Sequence, residues 1–152
     1  MYSEPLAYFI TFTTRGSWLH GDARGSVKDG QFISPNERWE QTELQALNNP
    51  PLVLSPDQRS TVEQALRDVC CKRLWTLHEV NVRSNHVHIV VTAKETKPEK
   101  VMGDLKARAT FALRKTKAIS EKQKPWTEHG STRYLFTHEE YVHACHYVRD
   151  CQ

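Results

Sequence analysis

Residues Trp75–Ala93 read WTLHEVNVRSNHVHIVVTA. Their β-branched and aromatic content predicts two strands, Trp75–Arg83 and His86–Ala93, around a tight turn at Ser84-Asn85. Side chains on a strand alternate between faces. Val87, Ile89 and Val91 therefore share one face, and His86, His88 and Val90 share the other. A strand apolar on both faces belongs in the middle of a sheet.

The flanks of this hairpin complete a repeating plan. Upstream, Leu6–Thr14 (LAYFITFTT) reads as a strand. Arg15–Leu54 holds four of the six glycines and three prolines, so a long irregular excursion is expected there, with a short helix near residues 40–48. Ser55, Pro56 and Gln58 carry the spacing of a capping box, and Val62, Ala65, Leu66 and Val69 continue it as a helix ending near Arg73. Downstream, a second helix runs from Lys97 or Pro98 to about Thr116, with Met102, Leu105, Ala109, Ala112 and Leu113 inward. Ile119–Pro125 is a charged connector, and Thr132–Phe136 (TRYLF) is a short strand. Thr137, with Glu140 three residues on, caps a final helix. The order β-α-β-β-α-β predicts a ferredoxin-like α+β sandwich: an antiparallel sheet, helices on one face, and an extra C-terminal helix. At 152 residues the whole chain is expected to form one domain, with the insertion at about 15–54.

Composition narrows the function classes. Apolar residues make up 38% and charged residues 26%, a globular balance. No apolar run approaches the roughly 20 residues a membrane helix needs. Met1–Pro5 lacks a basic start followed by an apolar stretch, so a cytoplasmic protein is expected. Cysteines 70, 71, 145 and 151 form no C-x-x-C pair and fit reduced thiols. Net charge is +3, but Lys94–Lys124 holds ten basic and four acidic residues. That surplus is either a solvated helix face or a surface that tracks phosphates.

The chemistry rests on two elements. His86 and His88 place two imidazoles on one strand face, half of a transition-metal site. On the last helix, Tyr141, Ala144, Cys145 and Val148 form the apolar stripe. Tyr147 lies at its edge, beside His143, Asp150 and Cys151. A phenol has a pKa near ~10 and needs a cation or base to become a nucleophile. H-x-H-x-H nucleotide hydrolases are disfavoured because the third position is Val90. Two-histidine phosphoesterases need H-x-T or H-x-S motifs, which the motif strand lacks. The cysteine spacing gives little support to a structural zinc.

The motif NHVHIVV at Asn85–Val91 resembles the His-hydrophobe-His signature of HUH nucleases. With Tyr147 on a C-terminal helix, the chain resembles a single-tyrosine transposase of the insertion-sequence type, closest to the REP-associated tyrosine transposases. YFITFTTRGSWLHGD at Tyr8–Asp22, WTEHGSTRYLF at Trp126–Phe136 and HYVRDCQ at His146–Gln152 extend the likeness.

The resemblance implies that His86 and His88 ligate a metal and that Tyr147 is the nucleophile. An amide one turn beyond the tyrosine is implied as third ligand. Here Cys151 stands four residues on, Gln152 five on, and Asp150 is the alternative. The implied metal is magnesium or manganese; ligand preference alone favours manganese or zinc. The implied reaction is cleavage and rejoining of DNA through a 5′-phosphotyrosine. The expected partner is single-stranded or hairpin DNA, with a nucleoid-associated location and no membrane. Lys106, Arg108, Arg114 and Lys115 are expected to hold phosphates, with Arg15 and Arg133 also facing DNA. Trp18, Trp126 and Tyr134 are candidates for base stacking. Relatives of this type occur as monomers and as dimers, so a homodimer is an open expectation. A replication- or relaxation-type HUH nuclease and a domesticated DNA-binding domain are the alternative functions.

Overall fold

The computed structural model describes residues 4–16, 26–28, 31–33 and 51–150. In chain order the elements are β1 (Ala7–Thr14), β2 (Ser26–Lys28), β3 (Gln31–Ile33), α1 (Pro56–Arg73), β4 (Thr76–Val82), β5 (His86–Thr92), α2 (Pro98–Lys115), β6 (Trp126–Leu135) and α3 (His138–Asp150). Four strands form one sheet in the order β4-β5-β1-β6, with every neighbouring pair antiparallel. This is the ferredoxin-like arrangement, and β5 is interior as its two apolar faces require. The insertion carries an antiparallel β2–β3 ribbon that the sequence reading did not anticipate. The helix expected near 40–48 lies outside the described residues.

Local signals set the helices. Ser55 and Gln58 form the reciprocal capping box at the start of α1. Pro98 opens α2, whose buried residues Val101, Leu105, Ala109 and Leu113 recur every fourth position. The expected stripe omitted Val101, while Met102 and Ala112 turn out only partly buried. At the start of α3, Thr137 Oγ1 accepts from the Glu140 amide at 3.1 Å. Glu140 Oε1 accepts in return from the amides of Phe136 and Thr137, each at 3.1 Å. Those two backbone N–H groups hold the Glu140 carboxyl below the usual carboxylate range.

β6 corrects one expectation. It spans ten residues, beginning at Trp126 rather than Thr132 and ending before Phe136. Its first half, WTEHGS, lacks an apolar repeat because β6 is an edge strand. Hydrogen bonds to β1 on one side suffice there, and polar residues are tolerated.

The two sheet faces bury different things. Tyr8, Ile10, Phe12, Val87, Ile89 and Val91 pack with α1 and α2 in the main core. Ala7, Val90 and Leu135 pack with Ala144 and Val148 of α3 on the opposite face. The histidine face of β5 is therefore the α3 face.

Candidate active site

Cross-strand register brings Thr13 opposite His86, Thr11 opposite His88 and Phe9 opposite Val90. Opposed residues share a sheet face, so these side chains surround the histidine pair. The His86 and His88 rings lie 4.8 Å apart between centroids. His86 Nδ1 stands 2.7 Å from Asn85 Oδ1. A carboxamide oxygen only accepts, so His86 Nδ1 carries a proton. His88 Nδ1 stands 2.8 Å from Thr11 Oγ1. With that hydroxyl as acceptor, His88 presents a basic Nε2. Burial, with His86 and Arg83 nearby, pushes the His88 pKa down to about 4. The imidazole is thus neutral near pH 7, the state a metal ligand needs.

Helix α3 brings Tyr147 to this pair. The Tyr147 and His88 rings meet edge-on with centroids 5.6 Å apart, and Phe9 packs 5.9 Å from Tyr147. Tyr147 is 38% exposed, so its phenol stays reachable. Polar ties to β4 fix the helix. Thr92 Oγ1 donates to Leu6 O at 2.6 Å, which uses its only hydrogen. It therefore accepts from His78 Nε2 at 2.6 Å. His78 Nδ1 in turn accepts the Tyr141 hydroxyl at 3.0 Å. Near the far end of α3, Asn81 Nδ2 donates to Val148 O at 3.0 Å.

A recess of about 560 Å³ opens beside the rings, lined by Phe9, Thr11, His88, Arg133, His143 and Tyr147 among others. Its size suits a small-molecule or nucleotide-sized ligand. Arg133 enters it because it stands opposite Phe9 on β6. His143, one turn before Tyr147, also lines it, as its helical spacing beside Tyr147 would signal.

A profile described as "Transposase IS200 like" matches residues 51–146. The chain belongs to that family. The match runs from before α1 to one residue short of Tyr147. Two solved structures share the transposase fold, each at 12% identity and a TM-score of 0.57. One is the REP-associated tyrosine transposase bound to a REP hairpin, covering 97% of this chain and 67% of that one. The other is a candidate transposase from Deinococcus radiodurans R1, covering 98% and 92%. No curated protein matches the chain.

The transposase gathers some of the residues expected at the site and separates others. His86, His88, Tyr147 and Arg133 share one sheet face. Gln152 and Cys151 lie outside the described residues, as does Trp18. Asp150 Oδ2 is held at 3.1 Å by both Arg149 Nε and His146 Nδ1. Among the described residues no group of three or more His, Cys, Asp or Glu is placed to hold a metal. The donor set present is two imidazoles on one strand face, which fits a divalent ion with open positions.

The basic residues of α2 lie on the other side of the sheet. Lys106 is half-buried, and its Nζ donates to the carbonyls of Thr127, Glu128 and His129 at 3.0–3.4 Å. Arg114 donates to Gln123 O at 3.2 Å. The Lys106 ammonium thus faces backbone oxygens rather than solvent, and Arg114 is tied to the segment before β6. Lys115 is exposed, and Arg15 is half-buried at the end of β1. Trp126 is a core residue packed edge-on against Phe12 at 4.8 Å, whereas Tyr134 remains partly exposed. No helix among the described residues is long and apolar enough to cross a membrane.

Proposed function

We propose that this transposase cleaves and rejoins single-stranded or hairpin DNA through Tyr147. The phenolic oxygen attacks the scissile phosphorus. The new bond is a 5′-phosphotyrosine, and the bond that breaks frees a 3′-hydroxyl, which takes up a proton as the phenol loses one. One phosphodiester is exchanged for another, so rejoining needs no nucleotide cofactor. His86 and His88, with Gln152 as third donor, would hold magnesium or manganese. Such an ion supplies charge neutralisation at a non-bridging phosphate oxygen. Arg133, in the same recess, pairs with an adjoining phosphate.

The observation that carries this reading is the edge-on contact of Tyr147 with His88, 5.6 Å between centroids within one chain. The family assignment and the hairpin-bound structural relative support DNA as the substrate. The test is incubation of hairpin-flanked single-stranded DNA, labelled at its 3′ end, with the protein and manganese. A denaturing gel should show a covalent protein–DNA band that disappears in Tyr147→Phe while binding persists. An undiminished band in that variant would overturn the assignment.

A further inference from the structure

Two adjoining recesses lie on the α1–α2 side of the domain, away from the Tyr147 recess. One, of about 470 Å³, is lined by Arg73, Trp75, Lys94, Lys100 and Asp104 with neighbouring backbone. The other, of about 330 Å³, is lined by Lys72, Arg73, Asp104, Arg108 and Phe111. They adjoin at Arg73 and Asp104, a shared ion-paired wall, and together make up one surface tract. Five cations face a single acid along it. Asp104 is spanned by Arg73 and Lys100, each at 3.4 Å. One carboxylate offsets one of the five charges, so the surplus is four, and Lys72, Lys94 and Arg108 lie outside the Asp104 ion pairs.

The aromatics in this tract are placed unusually. Phe111 is 56% exposed on the outer surface of α2, where a packing role would have turned it inward. Arg108 stacks over its ring at 5.3 Å. Trp75 is half-buried with Arg73 over its ring at 6.0 Å. Each aromatic thus has its own guanidinium, with more cations alongside. Cations spaced along a groove track a phosphodiester backbone, and an exposed ring such as Phe111, which the core does not cover, takes an unpaired base. Paired bases in a duplex offer no free face for stacking.

We infer that the α1–α2 tract is a second DNA contact, specific for an unpaired strand and separate from the cleavage recess. It rests on the reading that DNA is the substrate, but not on Tyr147 or the metal. The basic surplus around α2 then acts through Arg108 and the tract, while Lys106 and Arg114 serve the fold.

The experiment is fluorescence anisotropy with labelled oligo(dT), which forms no hairpin, in EDTA across a salt series. Single-strand affinity changes with log salt by about 0.7 per phosphate contact. The triple variant Lys72→Ala/Lys94→Ala/Arg108→Ala should lower the slope by about 2. These are surface positions, and circular dichroism checks that the variant is folded. Phe111→Ala should weaken oligo(dT) binding by about 5-fold or more, with little change for a blunt duplex. An unchanged slope in the folded triple variant overturns the tract. Equal loss for duplex and single strand in Phe111→Ala overturns its preference for unpaired bases. Covalent adduct formation is scored separately. A wild-type protein that shows these slopes but forms no adduct would refute the Tyr147 reading and leave the tract standing.

Discussion

Tyr147 and His88 meet edge-on at an interplanar angle of 78°, although one sits on the last helix and the other on an interior strand. Both rings belong to the same chain. Only two residues, Phe136 and Thr137, separate β6 from α3, and both are tied to Glu140 by their backbone amides. A connection this short and this well capped holds the helix over its own sheet. An equimolar mixture of His88→Ala and Tyr147→Phe chains should therefore form no covalent adduct. Adduct restored by mixing would mean that the helix is exchanged between two copies.

Thr11 is the partner of His88 Nδ1 at 2.8 Å. Outer partners of this kind fix the ring and its tautomer, and losing one typically costs 10–100-fold in metal affinity. Thr11→Val keeps the β-branched shape and removes the hydroxyl that bonds His88 Nδ1. Manganese binding followed by calorimetry should weaken about 10-fold or more in Thr11→Val and recover in Thr11→Ser. Equal affinities for all three proteins would show that Thr11 does not orient the imidazole.

The depressed pKa of His88 has a defined sign. In the unfolded chain the group titrates near ~6.5; in the fold it titrates at about 4. Between those values the unfolded chain binds a proton that the folded one does not. Stability of the metal-free protein should therefore fall as pH drops from about 6.5 toward 4. His78, lowered in the same direction by burial, contributes alongside it. His88→Gln removes one of the two contributions. Urea midpoints measured across this window should drop less steeply in the variant than in the wild type.

Gly130 links the fold to the site. A Cβ there would come within 2.6 Å of Thr11 O and 2.7 Å of Met102 Sδ. The thioether can swing aside, but the β1 carbonyl cannot move without carrying Thr11 with it. Gly130→Ala should destabilise the protein by about 1–3 kcal/mol, read from denaturant midpoints. It should also weaken manganese binding through the displaced Thr11 hydroxyl.

Strand alternation in HVHIVVT was enough to put both imidazoles on one face, because a period of two admits no other placement for an interior strand. The capping boxes at Ser55 and Thr137 marked helix starts through chemistry local to a few residues. What local chemistry could not reveal was where long side chains go. Lys106 is spaced like a surface cation, yet it points into three carbonyls of β6, a strand whose polar first half carried no apolar signal. Phe111 and Arg108 sit three residues apart on a basic helix, and only packing shows that they pair outward beside Lys72 from α1. Phe9, Thr11 and Arg133 reach the site through pairing register, which sequence spacing does not encode.

The remaining tie is the chain Tyr141–His78–Thr92–Leu6, with links of 3.0, 2.6 and 2.6 Å. Its direction is fixed because Thr92 spends its hydrogen on Leu6 O, leaving His78 Nδ1 to accept from the phenol. Tyr141 lies six residues before Tyr147 on the same rigid helix, so a change in its seating is passed to the nucleophile. Tyr141→Phe removes the phenol's bond and leaves the ring to pack; a hydrogen bond of this kind is worth about 1 kcal/mol. Amide exchange along α3 should quicken while exchange in β5 stays unchanged. The single-turnover rate of adduct formation should fall several-fold with little change in DNA affinity, because DNA still meets the same recess. A matching loss in His78→Phe, with no further loss in the double variant, would show that the two residues act as one unit. Unchanged α3 exchange and an unchanged rate in Tyr141→Phe would show that Ala144 and Val148 seat the helix without it.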